Sequence, residues 1–137
     1  MKRLAAGALV IAGILGLAGC SSTGTKPYRD LTTEEISSAT VLLQPPDKTV
    51  QVEKLDKLVA LLQDLVIYEE DNSYTEYAGQ AVTIQLIMSD GTRTSITEYN
   101  PFLIIDGVGY QAEYEACEAL NRYANELLHS EDAVVLE

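Results

Sequence analysis

The spacing of apolar residues predicts two helices. Apolar side chains recur every three or four positions from Leu55 to Val66, with charged and amide residues between them. This is the pattern of an amphipathic helix that buries one face. A second stripe of the same period runs from about Glu113 to Leu128. Before both helices, Thr32-Thr33-Glu34-Glu35 matches a capping box and predicts a short helical turn.

Shorter segments with alternating or continuous apolar residues predict strands at 39–44, 49–52, 82–88, 92–99, 102–105 and 108–110. The dipeptides Asp90-Gly91 and Asp106-Gly107 predict tight hairpins, in which both turn positions need a positive φ. Asn100-Pro101 ends the strand before it. Hairpin-linked strands beside two segregated helices predict an α+β fold, an antiparallel sheet of about four to six strands with both amphipathic helices packed on one face.

The N-terminus has the pattern of a secretory signal. Met1-Lys2-Arg3 is cationic, and the run from Leu4 to Ala18 is apolar but shorter than the ~20 residues that cross a bilayer. The run ends in Leu17-Ala18-Gly19-Cys20, which resembles the lipobox of bacterial lipoproteins: a branched aliphatic residue, two small residues and a cysteine. The resemblance implies cleavage before Cys20 by a signal peptidase of type II, and attachment of palmitate-type acyl chains to Cys20.

These features predict four parts of the chain: a signal peptide at 1–19, a lipidated cysteine and flexible linker at 20–30, a single α+β domain at 31–128 and a fraying tail at 129–137. The expected location is the cell membrane, lipid-anchored and facing the extracytoplasmic side. The first partner is then the membrane itself, reached through the N-terminal lipid.

The charge balance excludes several functions. The 137 residues include 9 Lys and Arg against 21 Asp and Glu, and loss of residues 1–19 would change the net charge from −12 to −14. Such a chain is not expected to bind nucleic acid, which needs clustered basic residues. Anionic head groups should repel it, so that it hangs from its tether. One His and two Cys leave no histidine-rich or four-thiolate metal site, and no cofactor is expected.

Three further stretches resemble one known domain when taken together. They are Tyr99–Phe102, Ile105–Tyr110 and Tyr114–Asn121. The domain is a small, uncharacterised extracytoplasmic α+β domain of Gram-positive anaerobes. It occurs on lipoproteins and on some antibiotic-sensor-like membrane metallopeptidases. The resemblance covers roughly residues 31–128 and names no chemistry. Because the chain has no HExxH motif, no peptidase activity carries over from the longer proteins.

No catalytic residue is predicted. Cys117 falls on the apolar stripe of the second helix, which indicates a buried structural cysteine. His129 lies twelve residues further on, ~18 Å along a helix, too far to serve as its base. The acidic segment from Glu69 to Gly79 does not have EF-hand spacing, so no metal site is predicted. No Gly-x-Ser-x-Gly or Ser-x-x-Lys motif occurs.

Tyrosine is unusually frequent, with eight Tyr beside one Phe and no Trp. Tyr74 and Tyr77 lie in the acidic segment and Tyr99 precedes the Asn-Pro break, and these three are candidates for contact with a partner, because tyrosine gives a large amphipathic contact area. Four other tyrosines are expected to flank the core with the phenol pointing outward: Tyr68, Tyr110, Tyr114 and Tyr123. A solvent-exposed groove beside residues 69–79 would be the first place to look for a binding site.

The sequence therefore predicts a lipid-anchored extracytoplasmic binding or interaction module of the cell envelope, without catalysis. Its further partner would be an envelope protein or a small ligand. Two alternatives remain at this point. One is an accessory or inhibitory domain that regulates an envelope enzyme or sensor. The other is an enzyme whose site is assembled from scattered positions and has no sequence motif.

Overall fold

The computed structural model describes residues 24–76, 79–131 and 133–136. The predictions for the signal peptide, Cys20 and Tyr77 lie outside these ranges. Along the chain the elements are β1 (Ile36–Gln44), β2 (Lys48–Gln51), α1 (Leu55–Gln63), β3 (Ile67–Glu70), β4 (Ala81–Met88), β5 (Arg93–Tyr99), β6 (Phe102–Ile105), β7 (Val108–Ala112), α2 (Tyr114–Leu128) and β8 (Val134–Leu136). Two 3-10 turns, Thr33–Glu35 and Ser73–Glu76, accompany them.

The α+β class and the antiparallel sheet are confirmed, whereas the expected strand number is too low. Eight strands form one sheet in the order β3-β7-β6-β5-β4-β1-β2-β8. The two additional strands, β3 and β8, are its edges. Strand β3 includes Glu69 and Glu70, which were expected in a loop, and β8 lies in the tail that was expected to fray. Short edge strands are held by backbone pairing to one neighbour, so they need little apolar pattern of their own.

Side chains from both helices and from the sheet meet in one core. Leu62 of α1 and Leu120 of α2 belong to the same buried cluster as Val41, Ile84 and Ile96 of the sheet. The register places these three sheet residues directly opposite one another on β1, β4 and β5. Because side chains alternate between the faces of a strand, this register defines the core-facing side of the sheet.

The two predicted helices are confirmed, with different ends. Helix α1 stops at Gln63, although Leu65 beyond it is fully buried. The apolar spacing continues past the helix because the connection to β3 packs on the same core. Helix α2 starts after Glu113, whose side chain accepts hydrogen bonds from the backbone N–H groups of Glu115 and Ala116 at 3.3 and 3.0 Å. Neither helix in the described ranges combines the length and hydropathy that a bilayer crossing demands.

Both predicted hairpins form, but only one has the expected turn. Asp106 and Gly107 have φ angles of 48° and 91°, so both turn positions between β6 and β7 are left-handed. In the other hairpin only Gly91 has a positive φ, of 92°. The expected positive φ at Asp90 is wrong, because the loop is longer: the Met88 N–H donates to the Thr92 carbonyl at 2.8 Å.

The folded domain begins before Leu31, its expected start. Thr25 pairs with Ile67 at the outer side of β3, with an N–H to carbonyl distance of 2.8 Å in each direction. Gly24 lies so close to β3 that a Cβ atom there would overlap the side chain of Val66. Tyr28 packs against the core. Gly24 and Thr25, expected in a flexible linker, therefore lie on the sheet edge, and Tyr28 from the same segment lies against the core.

Candidate functional site

The structure brings two of the three tyrosine candidates to the same region of the sheet. Tyr74 packs against Phe102, with ring centroids 6.4 Å apart and an interplanar angle of 59°. Tyr99 is the pairing partner of Phe102 across β5 and β6. Phe102 lies on the face opposite to Leu103, and so away from the core, because neighbouring residues of a strand alternate. Tyr74 and Tyr99 are both half-buried there, and their contact with a partner stays a prediction.

The acidic segment is attached to the sheet. The Asp71 N–H donates to the Gly109 carbonyl at 2.8 Å, and the Gly109 N–H donates to Asn72 Oδ1 at 2.8 Å. Gln111 Nε2 donates to Asp71 Oδ2 at 2.8 Å, and this bond, with others from Ser73, lowers the pKa of Asp71. These contacts hold the segment against β7. Within the described ranges, no three His, Cys, Asp or Glu side chains gather as a metal site would require.

A buried carboxyl group lies between β5 and α2, and sequence reasoning missed it. Glu98 is only 1% exposed and stands between Val82 and Leu103 on the core-facing side of the sheet. Its Oε2 accepts the Asn100 N–H at 2.9 Å, and its Oε1 accepts Asn121 Nδ2 at 3.4 Å. Desolvation raises the pKa of Glu98 to about 7, although these two hydrogen bonds act in the opposite direction.

Amide side chains cover this carboxyl group. Asn121 Nδ2 and Asn125 Nδ2 each donate to Gln80 Oε1 at 3.1 Å. Asn100 Nδ2 donates to Glu118 Oε1 at 3.5 Å, while the buried Asn100 Oδ1 has no hydrogen-bond partner among the residues that the structure describes. We call Glu98 and these five residues the Glu98 cluster. The cluster joins two of the stretches that carry the family resemblance, at 99–102 and 114–121.

One sequence signal could have revealed the Glu98 cluster. In the alternation of β5, Glu98 has the same parity as Ile96, which indicates the buried face. Chemically, the buried Glu98 can hold or release a proton near neutral pH. Both of its oxygens are already hydrogen-bonded, so the cluster is suited to fastening α2 to the sheet.

Cys117 is buried as predicted, with 0% exposure. Desolvation, with a smaller contribution from the nearby Glu98 and Glu113 carboxylates, raises the pKa of the Cys117 thiol to about 12. A thiol with this pKa stays protonated at neutral pH and is a poor nucleophile. The exposed His129 forms a hydrogen bond between its Nδ1 and the Asn125 carbonyl at 2.8 Å.

A groove of about 310 Å³ opens where the start of α1, the end of α2 and the segment before β8 meet. We call it the distal groove, because it lies at the end of α2 remote from Gly24 and β3. Its lining combines apolar side chains with two lysines and a tyrosine, and consists of Gln51, Val52, Glu53, Lys54, Lys57, Tyr123, Leu127, Ser130 and Ala133.

The polar groups of the distal groove favour an anion. In the part of the chain that the structure describes, neither Lys54 nor Lys57 forms an ion pair, and Lys57 Nζ lies 5.9 Å from the ring centroid of Tyr123. Tyr123 is 8% exposed, and its hydroxyl has no hydrogen-bond partner among the same residues. Burial raises the pKa of Tyr123, so its hydroxyl remains a donor. Lys54 is also the N-cap residue of α1, but its side chain forms no hydrogen bond with the backbone at the start of the helix. Glu53 is the single carboxylate in the described lining.

Comparison of this chain with protein-family models, with curated proteins and with solved structures gives no match. Its function is therefore inferred from the residues and the geometry described above.

Proposed function

We propose that this chain is a lipid-anchored extracytoplasmic binding module of the cell envelope, attached to the membrane through Cys20. It binds a ligand or protein segment that combines negative charge with an apolar part, in the distal groove. The observation that carries the proposal is that Lys54 and Lys57 line the same groove as the largely buried Tyr123, and that among the described residues neither lysine has a carboxylate partner and the tyrosine hydroxyl has no hydrogen-bond partner.

The composition supports an anionic occupant. The processed chain would carry a net charge of −14, so most of its surface repels anions. The distal groove departs from this average, because two cationic side chains flank apolar walls formed by Val52, Leu127 and Ala133. Apolar contact supplies binding energy, and the lysines select the charge of the occupant.

Binding without catalysis agrees with the chemistry of Cys117 and Glu98, two buried groups whose pKa values are raised. The Cys117 thiol is buried and its pKa lies at about 12. Glu98 is buried and hydrogen-bonded within its own cluster, and neither residue lines the distal groove. An accessory or inhibitory domain of an envelope enzyme or sensor would use the same groove, with an acidic segment of that protein as occupant.

Binding in the groove is tested by NMR titration of residues 20–137 with three probes of equal length: hexanoate, hexanol and hexylamine. We expect hexanoate to shift the amide resonances of Lys54, Lys57 and Tyr123 and to bind more tightly than the other two. Lys57→Gln should weaken hexanoate binding by about fivefold, equivalent to ~1 kcal/mol for a partly exposed charge pair.

The matched control is Lys48→Gln, which removes the same charge from β2 at a residue outside the groove lining. This variant should bind hexanoate like the unmodified chain. Equal binding of all three probes, or resonance shifts confined to other regions, would contradict the proposed site.

The anchor is tested separately by membrane fractionation. Cys20→Ser removes the thiol that accepts the acyl chains, so the variant should leave the membrane fraction. Cys117→Ala removes the other cysteine and should stay membrane-bound. A Cys20→Ser variant that is retained on membranes would refute the lipid anchor.

A further inference from the structure

We infer that the domain meets the lipid head groups with the β3 edge of its sheet, with Tyr68 and Tyr114 at the level of those head groups. This inference rests on the proposed lipidation of Cys20. It names the surface that faces the membrane, and it leaves the distal groove at the opposite end of α2 accessible.

The N-terminal segment becomes fixed to the folded domain at Gly24 and Thr25. Thr25 exchanges two hydrogen bonds of 2.8 Å with Ile67 on β3. Gly24 packs on the same strand, where an added Cβ atom would lie 2.8 Å from Tyr68 Cε1 and would overlap Val66. The chain is therefore attached to the sheet edge from Gly24 onward.

The segment between Cys20 and Gly24 is short. Gly24 follows Cys20 by four residues, which span at most ~14 Å even when fully extended. The acyl chains of a lipidated cysteine lie in the bilayer, so the cysteine itself is held at the bilayer surface. The β3 edge must stay within this distance of the surface. The opposite edge, β8, lies seven strand spacings away, or ~34 Å across a flat sheet.

The β3 edge exposes two tyrosine side chains. Tyr68 on β3 is 37% exposed, and Tyr114 at the start of α2 is 59% exposed. The Glu113 N–H, next to Tyr114, donates to the Val66 carbonyl at 2.9 Å, so both tyrosines lie close to Gly24. Tyrosine is well suited to the boundary between lipid and water, because its ring is apolar and its hydroxyl is polar. Among the described residues, the other two large exposed apolar side chains are Val134 and Leu136 on β8.

Charges near this edge determine how the contact depends on lipid composition. Carboxylates outnumber basic groups among the described residues there: Lys26 lies beside Asp64, Glu113 and Glu115, and Arg29 lies beside Asp30 and Glu35. Glu69 and Glu70 are on β3 itself. Anionic lipids should therefore weaken the contact, and salt should reduce this repulsion. The lipid tether and the two tyrosines keep the β3 edge at the membrane despite this repulsion.

The test uses tryptophan fluorescence, because the chain has no Trp of its own. The full lipidated protein is prepared as three single variants, Tyr68→Trp, Tyr114→Trp and Leu136→Trp. Each is bound to phosphatidylcholine vesicles that contain a lipid with a nitroxide on its head group. We expect quenching at positions 68 and 114 to be at least twofold stronger than at position 136. Replacing half of the lipid with phosphatidylglycerol should reduce this quenching at low salt and restore it at high salt.

A second measurement changes only the connection. Inserting about ten Gly and Ser residues between Thr23 and Gly24 adds roughly 17 Å of reach, and should lower quenching in the Tyr114→Trp variant toward the Leu136→Trp level. Equal quenching in all three lipidated variants, or no effect of the insertion, would overturn the orientation while leaving the anchor intact. A Cys20→Ser chain that remains on the vesicles would overturn both the anchor and the orientation.

Discussion

Asn121 on α2 donates a hydrogen bond of 3.4 Å to Glu98 on β5, and this bond ties the helix to a carboxyl group that is 1% exposed. No basic side chain among the described residues pairs with this group. The ionised form therefore loses hydration on folding without gaining an opposite charge. Protonation of Glu98 removes this desolvation cost, whereas the hydrogen bonds from Asn121 and from the Asn100 N–H favour the ionised form.

The first prediction concerns pH. The pKa of Glu98 rises from 4.5 to about 7 in the folded chain. Between these two values the native state binds a proton that the unfolded state has released. The free energy of unfolding therefore falls as pH rises through this window, and the contribution is fully lost above it. The total loss is on the order of 3 kcal/mol.

Glu98→Gln removes this titration while keeping an oxygen for the Asn100 N–H. We expect the variant to match the unmodified chain near pH 5 and to exceed its stability at pH 8, in urea denaturation measured at both values. Glu126→Gln is the control, because Glu126 is an exposed residue of α2 outside the Glu98 cluster and its loss should leave the pH dependence of unfolding in place. A Glu98→Gln chain that loses stability between pH 5 and pH 8 as steeply as the unmodified chain would contradict the assignment.

The second prediction concerns Cys117. Cys117→Ala removes a fully buried sulfur atom and should lower the free energy of unfolding by about 1–2 kcal/mol, while hexanoate binding in the distal groove stays unchanged. In a Cys20→Ser background, where Cys117 is the sole thiol, a disulfide reagent should react at pH 8 only as fast as the chain unfolds. Rapid labelling of the native chain would show an accessible thiolate.

The third prediction concerns the acidic segment. At Gly109, an added Cβ atom would lie 2.6 Å from the Asp71 carbonyl oxygen and 2.8 Å from Tyr74 Cδ1. Gly109→Ala should therefore push residues 71–74 away from β7 and cost roughly 2 kcal/mol. Hydrogen exchange provides the direct readout, because the Asp71 N–H, now bonded to Gly109, should lose its protection.

Gly91→Ala is the matched control for this change. Gly91 has a φ of 92° and nothing within 4 Å of its added Cβ atom. The substitution should cost about 1 kcal/mol through backbone conformation alone and leave the Asp71 amide protected. Equal exchange at Asp71 in both variants would argue against the packing of the segment on β7.

The elements with strong side-chain periodicity were predictable from the sequence. Both helices and the central hairpins follow from local spacing, and the strand Phe102–Ile105 has the predicted limits. The pairing of Thr25 with Ile67 and of β8 with β2 was not predictable, because backbone hydrogen bonds at a sheet edge hold these segments. Such backbone bonds place almost no constraint on the residue types of the segment.

The candidate sites depend on distant residues in the same way. Gln80 and Asn125 are 45 positions apart, and their hydrogen bond exists only after β4 and α2 meet. Lys57 and Tyr123 likewise come together only when the two helices pack. A single sequence contains the residues of the Glu98 cluster and of the distal groove, but their proximity is a product of the fold.

Helix α2 has 15 residues, from Tyr114 to Leu128, which corresponds to a rise of ~22 Å. It begins beside the segment that leads to Cys20 and ends at the distal groove. With the proposed anchor at Cys20, whatever occupies the groove would be kept at a nearly constant distance from the bilayer. The length of helix α2 determines that distance, so the distance does not vary as it would with a long flexible linker.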